Sequence, residues 1–191
     1  MFCLQGASNL TPSPGICYIN QRDFFLTKSF LMENKTQRKD ILIIGIGNIL
    51  LGDEGVGVHV IRELEKIRLP KNVEVIDMGV ATFYLPSYIA ERKKIILVDA
   101  VEGGGKAGDI YRLLPEDIER KERIIFSLHE INISNIIDIL RLEKPTVDVV
   151  IVGVEPGEIK WGVELSPPLK EKLPAVINFI LQEISSFKKE P

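Results

Sequence analysis

Ile41-Leu42-Ile43-Ile44-Gly45-Ile46-Gly47-Asn48-Ile49-Leu50-Leu51-Gly52-Asp53-Glu54-Gly55-Val56-Gly57 is the stretch that decides the architecture. Its first six residues contain no polar side chain, the pattern of a strand covered on both faces in a parallel sheet. A strand with one wet face would place a polar residue at every second position. Val56, Val60, Leu64 and Ile67 then recur at helical spacing, and Pro70 closes that helix. A doubly buried strand, a glycine-rich turn and an amphipathic helix form the opening half of a βαβ unit.

The alternation continues outward from this stretch. Val73 to Asp77 reads as a second strand, Leu85 to Glu91 as a helix, and Ile95 to Asp99 as a third strand. Asp109 to Leu114 suits a short edge strand of antiparallel sense. Ile133, Ile136, Ile137 and Leu140 mark a further amphipathic helix, Val147 to Val154 a buried strand, and Leu169 to Phe187 a C-terminal helix. Strands alternating with helices predict a single α/β domain: a doubly wound, mostly parallel sheet with helices on both faces. Residues 40–191 form this domain. Residues 1–39 mix Pro, Asn, Gln and Ser with scattered aromatics and show no sustained period. They read as an N-terminal extension, either an arm or sequence upstream of a start at Met32.

Composition narrows the function classes. The 191 residues are 45% hydrophobic and 27% charged, enough for one well-buried core. A formal net charge of -3 gives no electrostatic reason to expect nucleic acid or anionic membrane as a partner. No apolar run approaches the ~20 residues that span a bilayer. The start lacks the basic residues of a signal peptide, and Pro12 and Pro14 interrupt any hydrophobic segment. The only cysteines, Cys3 and Cys17, lie in the extension, so neither a disulfide framework nor a cysteine metal knuckle is implied. A monomeric cytoplasmic protein is expected.

The glycine turn invites a dinucleotide-binding reading and fails it. The fingerprint G-x-G-x-x-G requires glycine where Leu50 stands, and no Gly-Lys-Ser/Thr follows for a P-loop. Asp53 and Glu54 sit where a pyrophosphate needs bare N–H groups, and two carboxylates repel phosphate. The turn suits a cation. In a purely structural reading, Asp53 is an N-cap and Glu54 a first-turn acid favoured by the helix dipole.

In doubly wound sheets ligands bind outside the carboxyl ends of the strands, so the loops after Ile46, Asp77 and Val98 share one edge. Asp99 ends the third strand and emerges there. His129, in Phe126-Ser127-Leu128-His129-Glu130, precedes the helix of Ile133 and Ile136. The positive end of a helix dipole keeps such an imidazole neutral, the form that binds metal. Two carboxylates and one imidazole make a three-ligand cation site with open positions, labile because it lacks thiolates. Taken singly, Asp99 suits a turn or cap and His129 a boundary residue. His59 reads as a helix-face residue, and Asp77 with Gly79 as a turn. Phe83, Tyr84, Leu85 and Tyr88 suit either core or a wall for a peptide tail. Trp161 lies in a Gly/Glu-rich loop where both readings stay open.

The ordered set Gly45-x-Gly47-Asn48-x-Leu50-x-Gly52-Asp53-Glu54-Gly55-x-Gly57, Asp77-x-Gly79, Val98-Asp99-Ala100 and Ser127-Leu128-His129-Glu130 resembles the hydrogenase maturation protease family. The similarity runs from about Asp40 to Ser186 and includes Gly153-Val154-Glu155-Pro156 and Leu165-Ser166-Pro167. The resemblance implies an endopeptidase that removes a C-terminal tail from the large-subunit precursor of a nickel–iron hydrogenase after nickel insertion. It implies Glu54, Asp99 and His129 as the metal-contacting and catalytic residues. The resemblance further implies that nickel arrives with the substrate and that other divalent cations can occupy the same ligands. The alternative is a binding protein that inspects the nickel site of the same client without cutting it. A nucleotide-dependent oxidoreductase is opposed by Leu50, Asp53 and Glu54.

Overall fold

Strand β1 (Ile41–Ile46) is buried at every residue and lies between β2 (Val73–Gly79) and β3 (Lys94–Glu102), parallel to both. The computed structural model describes residues 39–81, 84–89, 91–120, 125–126, 137–138, 142 and 146–187. Beyond β3 the sheet continues with β6 (Asp148–Val154), parallel, and ends with β4 (Ile110–Leu113), antiparallel. The order is therefore β2-β1-β3-β6-β4, and a two-residue strand, β5 (Ile125–Phe126), pairs antiparallel with Val101 and Glu102.

Period-two alternation in the central strands divides the core in two. Ile41, Ile43, Ile96, Val98, Val150 and Val152 pack against α1 (Val56–Leu64) and α4 (Pro167–Ser186) on one face. Leu42, Ile44, Ile95, Leu97 and Ile151 pack on the other against Leu85 and Ile89 of α2 (Leu85–Ile89), together with Ile137. A further short helix, α3 (Pro115–Arg120), follows β4. Each fully buried Ile or Leu contributes about 1.5–3 kcal/mol relative to exposure. This two-sided burial is why the strands read as unbroken apolar runs.

At the amino edge the charges are structural. Lys94 is buried, meets Asp148 at 2.8 Å and Glu183 at 3.3 Å, and lies 5.9 Å from the Phe187 ring centre. Arg112 reaches the same Glu183 at 2.7 Å, so the last turn of α4 is fastened to two strands, β3 and β4. Burial alone raises the Glu183 carboxyl, but Arg112 and Lys94 outweigh it and hold the group below the ordinary glutamate range.

The expected elements that fall on described residues are present within a few residues, with one correction. Helix α1 stops at Leu64 and does not run on to Pro70; Ile67 is 43% exposed, outside the apolar stripe that Val56, Val60 and Leu64 bury. Edge strand β4 has the antiparallel sense that its short run suggested. Of the helix expected around Ile133 to Leu140, only 137–138 are described, and they are helical. No described helix is long and apolar enough to cross a membrane.

The chain leaves β1 for β2 on one side and returns to β3 on the other. That reversal makes the carboxyl ends of β1 and β3 the switch point of the sheet, the place where a doubly wound fold takes its ligand.

Candidate functional site

The loop leaving β1 is built by its own polar groups. Asn48 Oδ1 accepts the Leu50 N–H at 3.0 Å, and its carbonyl accepts that of Leu51 at 3.0 Å. Leu51 and Gly52 then bridge to the loop after β6, through Gly52 N to Gly162 O at 2.8 Å and Gly162 N to Leu50 O at 2.9 Å. A single 3-10 turn, Asp53–Gly55, leads into α1. Gly57 lets that helix approach: a Cβ there would collide with the carbonyl oxygens of both Ile46 and Val98. The first turn of α1 therefore rests on the ends of β1 and β3.

Glu54, in the 3-10 turn just before this contact, is thereby held near the same two strand ends. Glu54 is fully buried, and Asp99 is 2% exposed, its Oδ1 accepting the Ala100 N–H at 2.8 Å. Their strands are neighbours, with Gly45 opposite Val98. Two of the three expected site residues thus lie on one edge of adjacent strands. His129 lies outside the described residues, although Ile137, further along that segment, packs on the sheet face that Ile95, Leu97 and Val101 share. Among the described residues, no three His, Cys, Asp or Glu side chains gather at a common point.

The acid beside Glu54 does something the sequence did not disclose. Asp53 is fully buried, but its side chain caps neither the 3-10 turn nor α1. Its Oδ2 accepts the N–H groups of Gly157 and Glu158, both at 2.8 Å, and its Oδ1 that of Ser166 at 2.7 Å. These donors lie 104, 105 and 113 residues further along the chain, beyond any local pattern.

Glu155, just past β6, plays a matching part that also went unread. Its carboxylate accepts Gly103 N at 2.7 Å, Gly104 N at 3.3 Å and the Tyr111 hydroxyl at 2.6 Å. Burial alone raises this carboxyl; the Tyr111 hydroxyl and the N–H groups of Gly103, Gly105 and Gly104 outweigh it and hold it below the ordinary glutamate range. Burial, then the hydrogen bond and charge of Glu155, pushes the Tyr111 hydroxyl up to about 12. An open cleft of about 370 Å³ lies alongside, lined by Glu102, Gly104, Glu155, Pro156, Gly157 and Ile159.

The remaining residues separate cleanly. His59 is half-buried on α1, and burial foremost, then Arg62, lowers its pKa against the hydrogen bond to the Val163 backbone. Asp77 is an exposed strand residue opposite Gly45 and forms no turn. Leu85 is core, Tyr84 and Tyr88 are exposed, and Phe83 lies outside the described residues. Trp161 is 82% exposed, with Leu50 and Val163 exposed on the same pair of bridged loops.

Comparison with known proteins agrees with the architecture. A family model described as hydrogenase maturation protease matches residues 58–183. The coenzyme F420 hydrogenase subunit delta of Methanothermobacter thermautotrophicus is 36% identical over 160 residues, covering 78% of this chain and 97% of its own. The hydrogenase 2 maturation protease of Escherichia coli is 30% identical over 145 residues, covering 74% and 88%. Among solved structures, the hydrogenase maturating endopeptidase of Escherichia coli superposes with a TM-score of 0.63 at 28% identity, covering 76% of this chain and 91% of that one. With a family model spanning most of the domain and relatives matched over nearly their whole length, this chain belongs to the hydrogenase maturation protease family.

Proposed function

We propose that this chain is the endopeptidase that removes the C-terminal tail from the nickel-loaded large-subunit precursor of a nickel–iron hydrogenase, acting as a cytoplasmic monomer. The observation that carries the reading is the pair of buried acids, Glu54 and Asp99, at the β1–β3 switch point of a family fold. Acids at the carboxyl edge of a doubly wound sheet, where such folds take their ligands, are placed to meet a cation. In this reading Glu54, Asp99 and His129 contact the nickel that travels with the precursor, and other divalent cations bind the same set.

The donor chemistry supports substrate-borne metal over a resident one. Carboxylate oxygens with a single imidazole make a weak resting site, whereas a precursor brings its own ligands to the ion. Docking through that ion holds the tail beside the carboxylates and converts a bimolecular encounter into a near-intramolecular one. Water oxygen then attacks the scissile carbonyl carbon while a carboxylate takes its proton. The C–N bond breaks, and the proton passes to the departing amine.

The test is a precursor prepared with and without nickel, incubated with the protein and weighed by mass spectrometry. One cut near the C-terminus is expected in the nickel-loaded form, with nickel-free precursor and casein intact. Glu54→Gln should slow the cut by about a hundredfold or more, because an amide neither accepts the proton nor supplies ligand charge. Efficient cutting of nickel-free precursor removes the substrate-metal mechanism but leaves a protease. No cutting of either form overturns the assignment.

A further inference from the structure

The segment from Glu155 to Ser166 is tied down at both ends by carboxylates, and each tie falls beside one of the two site acids. At its start, Glu155 holds Gly103 and Gly104, in the loop that leaves the strand carrying Asp99. Further along, Asp53 holds Gly157, Glu158 and Ser166 and is the immediate neighbour of Glu54 in one 3-10 turn. The approach at the second tie is close. A Cβ at Gly157 would lie 3.2 Å from both Asp53 Oδ2 and Ser166 Oγ, and 3.1 Å from the Ala107 side chain.

We propose that Asp53 and Glu155 are positioning residues for the proteolytic reaction: together they make the 155–166 segment a strap that fixes Glu54 relative to Asp99. The inference rests on the reading of Glu54 and Asp99 as the acting pair. Charge-assisted bonds from backbone N–H groups are short, directional and about twice as strong as neutral ones. A loop needing only stability has many residues on which to place such bonds. Here they bracket the two functional acids and link two strand ends that are not otherwise joined by a common loop. Strand β3 lies between β1 and β6, so a strap running from β6 to the β1 loop crosses over the end of the strand that bears Asp99.

Asparagine at 53 fills the same space but sets an amide N–H₂ against an N–H donor in either orientation. Glutamine at 155 loses the charge that the Gly103–Gly104 N–H pair and the Tyr111 hydroxyl face. A misplacement of about 1 Å costs on the order of a hundredfold in rate, so the loss belongs in kcat and not in KM.

The experiment compares Asp53→Asn, Glu155→Gln and the double variant with the parent on nickel-loaded precursor. A control variant, Ile180→Val in the core under α4, serves as a destabilised reference, and circular dichroism fixes the folded fraction of each. Expected are kcat losses of about a hundredfold in each single variant, with KM within about threefold. The double variant should lose little more than the worse single in kcat, because both break one geometry. Hydrogen exchange should speed at the Gly157, Glu158 and Ser166 amides in Asp53→Asn and at Gly103 and Gly104 in Glu155→Gln. Single variants that stay folded and cut at the parent's kcat overturn the strap, as do rate losses that multiply in the double variant. A parent that cuts no precursor overturns the protease reading and the strap with it, whereas an active parent with indifferent variants removes the strap alone.

Discussion

Tyr111 and Glu155 show how a single proton can be assigned a structural duty. The phenolic O–H donates to the carboxylate at 2.6 Å and accepts the Gly105 N–H at 3.1 Å, so the neutral tyrosine and charged glutamate are the favoured pair. Raising the folded-state pKa of Tyr111 above its unfolded value of ~10 makes the protonated hydroxyl stabilising below that pH. That stability is lost as the pH climbs from ~10 through about 12. Thermal melts should therefore fall over this window in the parent, and Tyr111→Phe should flatten that part of the curve. At neutral pH, Tyr111→Phe should cost about 1–3 kcal/mol, since it leaves a buried carboxylate one donor short. Parallel alkaline curves for the two proteins would show that the hydroxyl bears no such load. Glu155 works in the opposite sense: its lowered pKa adds stability above the ordinary glutamate range, which is lost as the pH falls through the lower folded value.

Helix α1 owes its position to a missing methyl. Gly57→Ala sets a Cβ into the carbonyls of Ile46 and Val98, where neither strand can yield without disturbing its ladder. Overpacking at this junction should cost about 1–3 kcal/mol by denaturant titration, and a larger fraction of activity, because the displaced turn carries Glu54. A neutral Gly57→Ala would show that the strand ends are softer than the contacts imply. The elements that carry such contacts were readable because burial on both faces writes an uninterrupted apolar run, as in Ile41–Ile46 and Asp148–Val154. Strand β5 was not, since two residues hold no period. Helix α1 was read too long because Ile67 continues its spacing, and spacing alone does not say whether a covering element is there. The site divides the same way. Glu54 and Asp99 were legible as acids at a glycine turn and a strand end. Asp53 was not, because its three donors are more than a hundred residues away.

Across the molecule, the two-sided sheet gives the domain both its core and the edge that carries the candidate site. Residues 1–40 carry no repeating apolar face, so a chain beginning at Met32 should keep its melting temperature within a few degrees and cut precursor at the parent rate. A drop equivalent to several kcal/mol would show that the extension packs as part of the core. The strand order has one more consequence, and it concerns birth instead of function. Strand β3 is central, yet its β6 neighbour begins only at Asp148, well after β3 ends at Glu102. At translation rates of about 5–20 residues per second, that side of β3 waits for seconds after the strand itself is made. During that interval the nascent chain presents an open edge reading Ile95-Ile96-Leu97-Val98, a β-prone, uncharged template for pairing with the wrong chain. Protecting that edge until β6 arrives is a demand this topology places on the ribosome and its chaperones, before any hydrogenase is met.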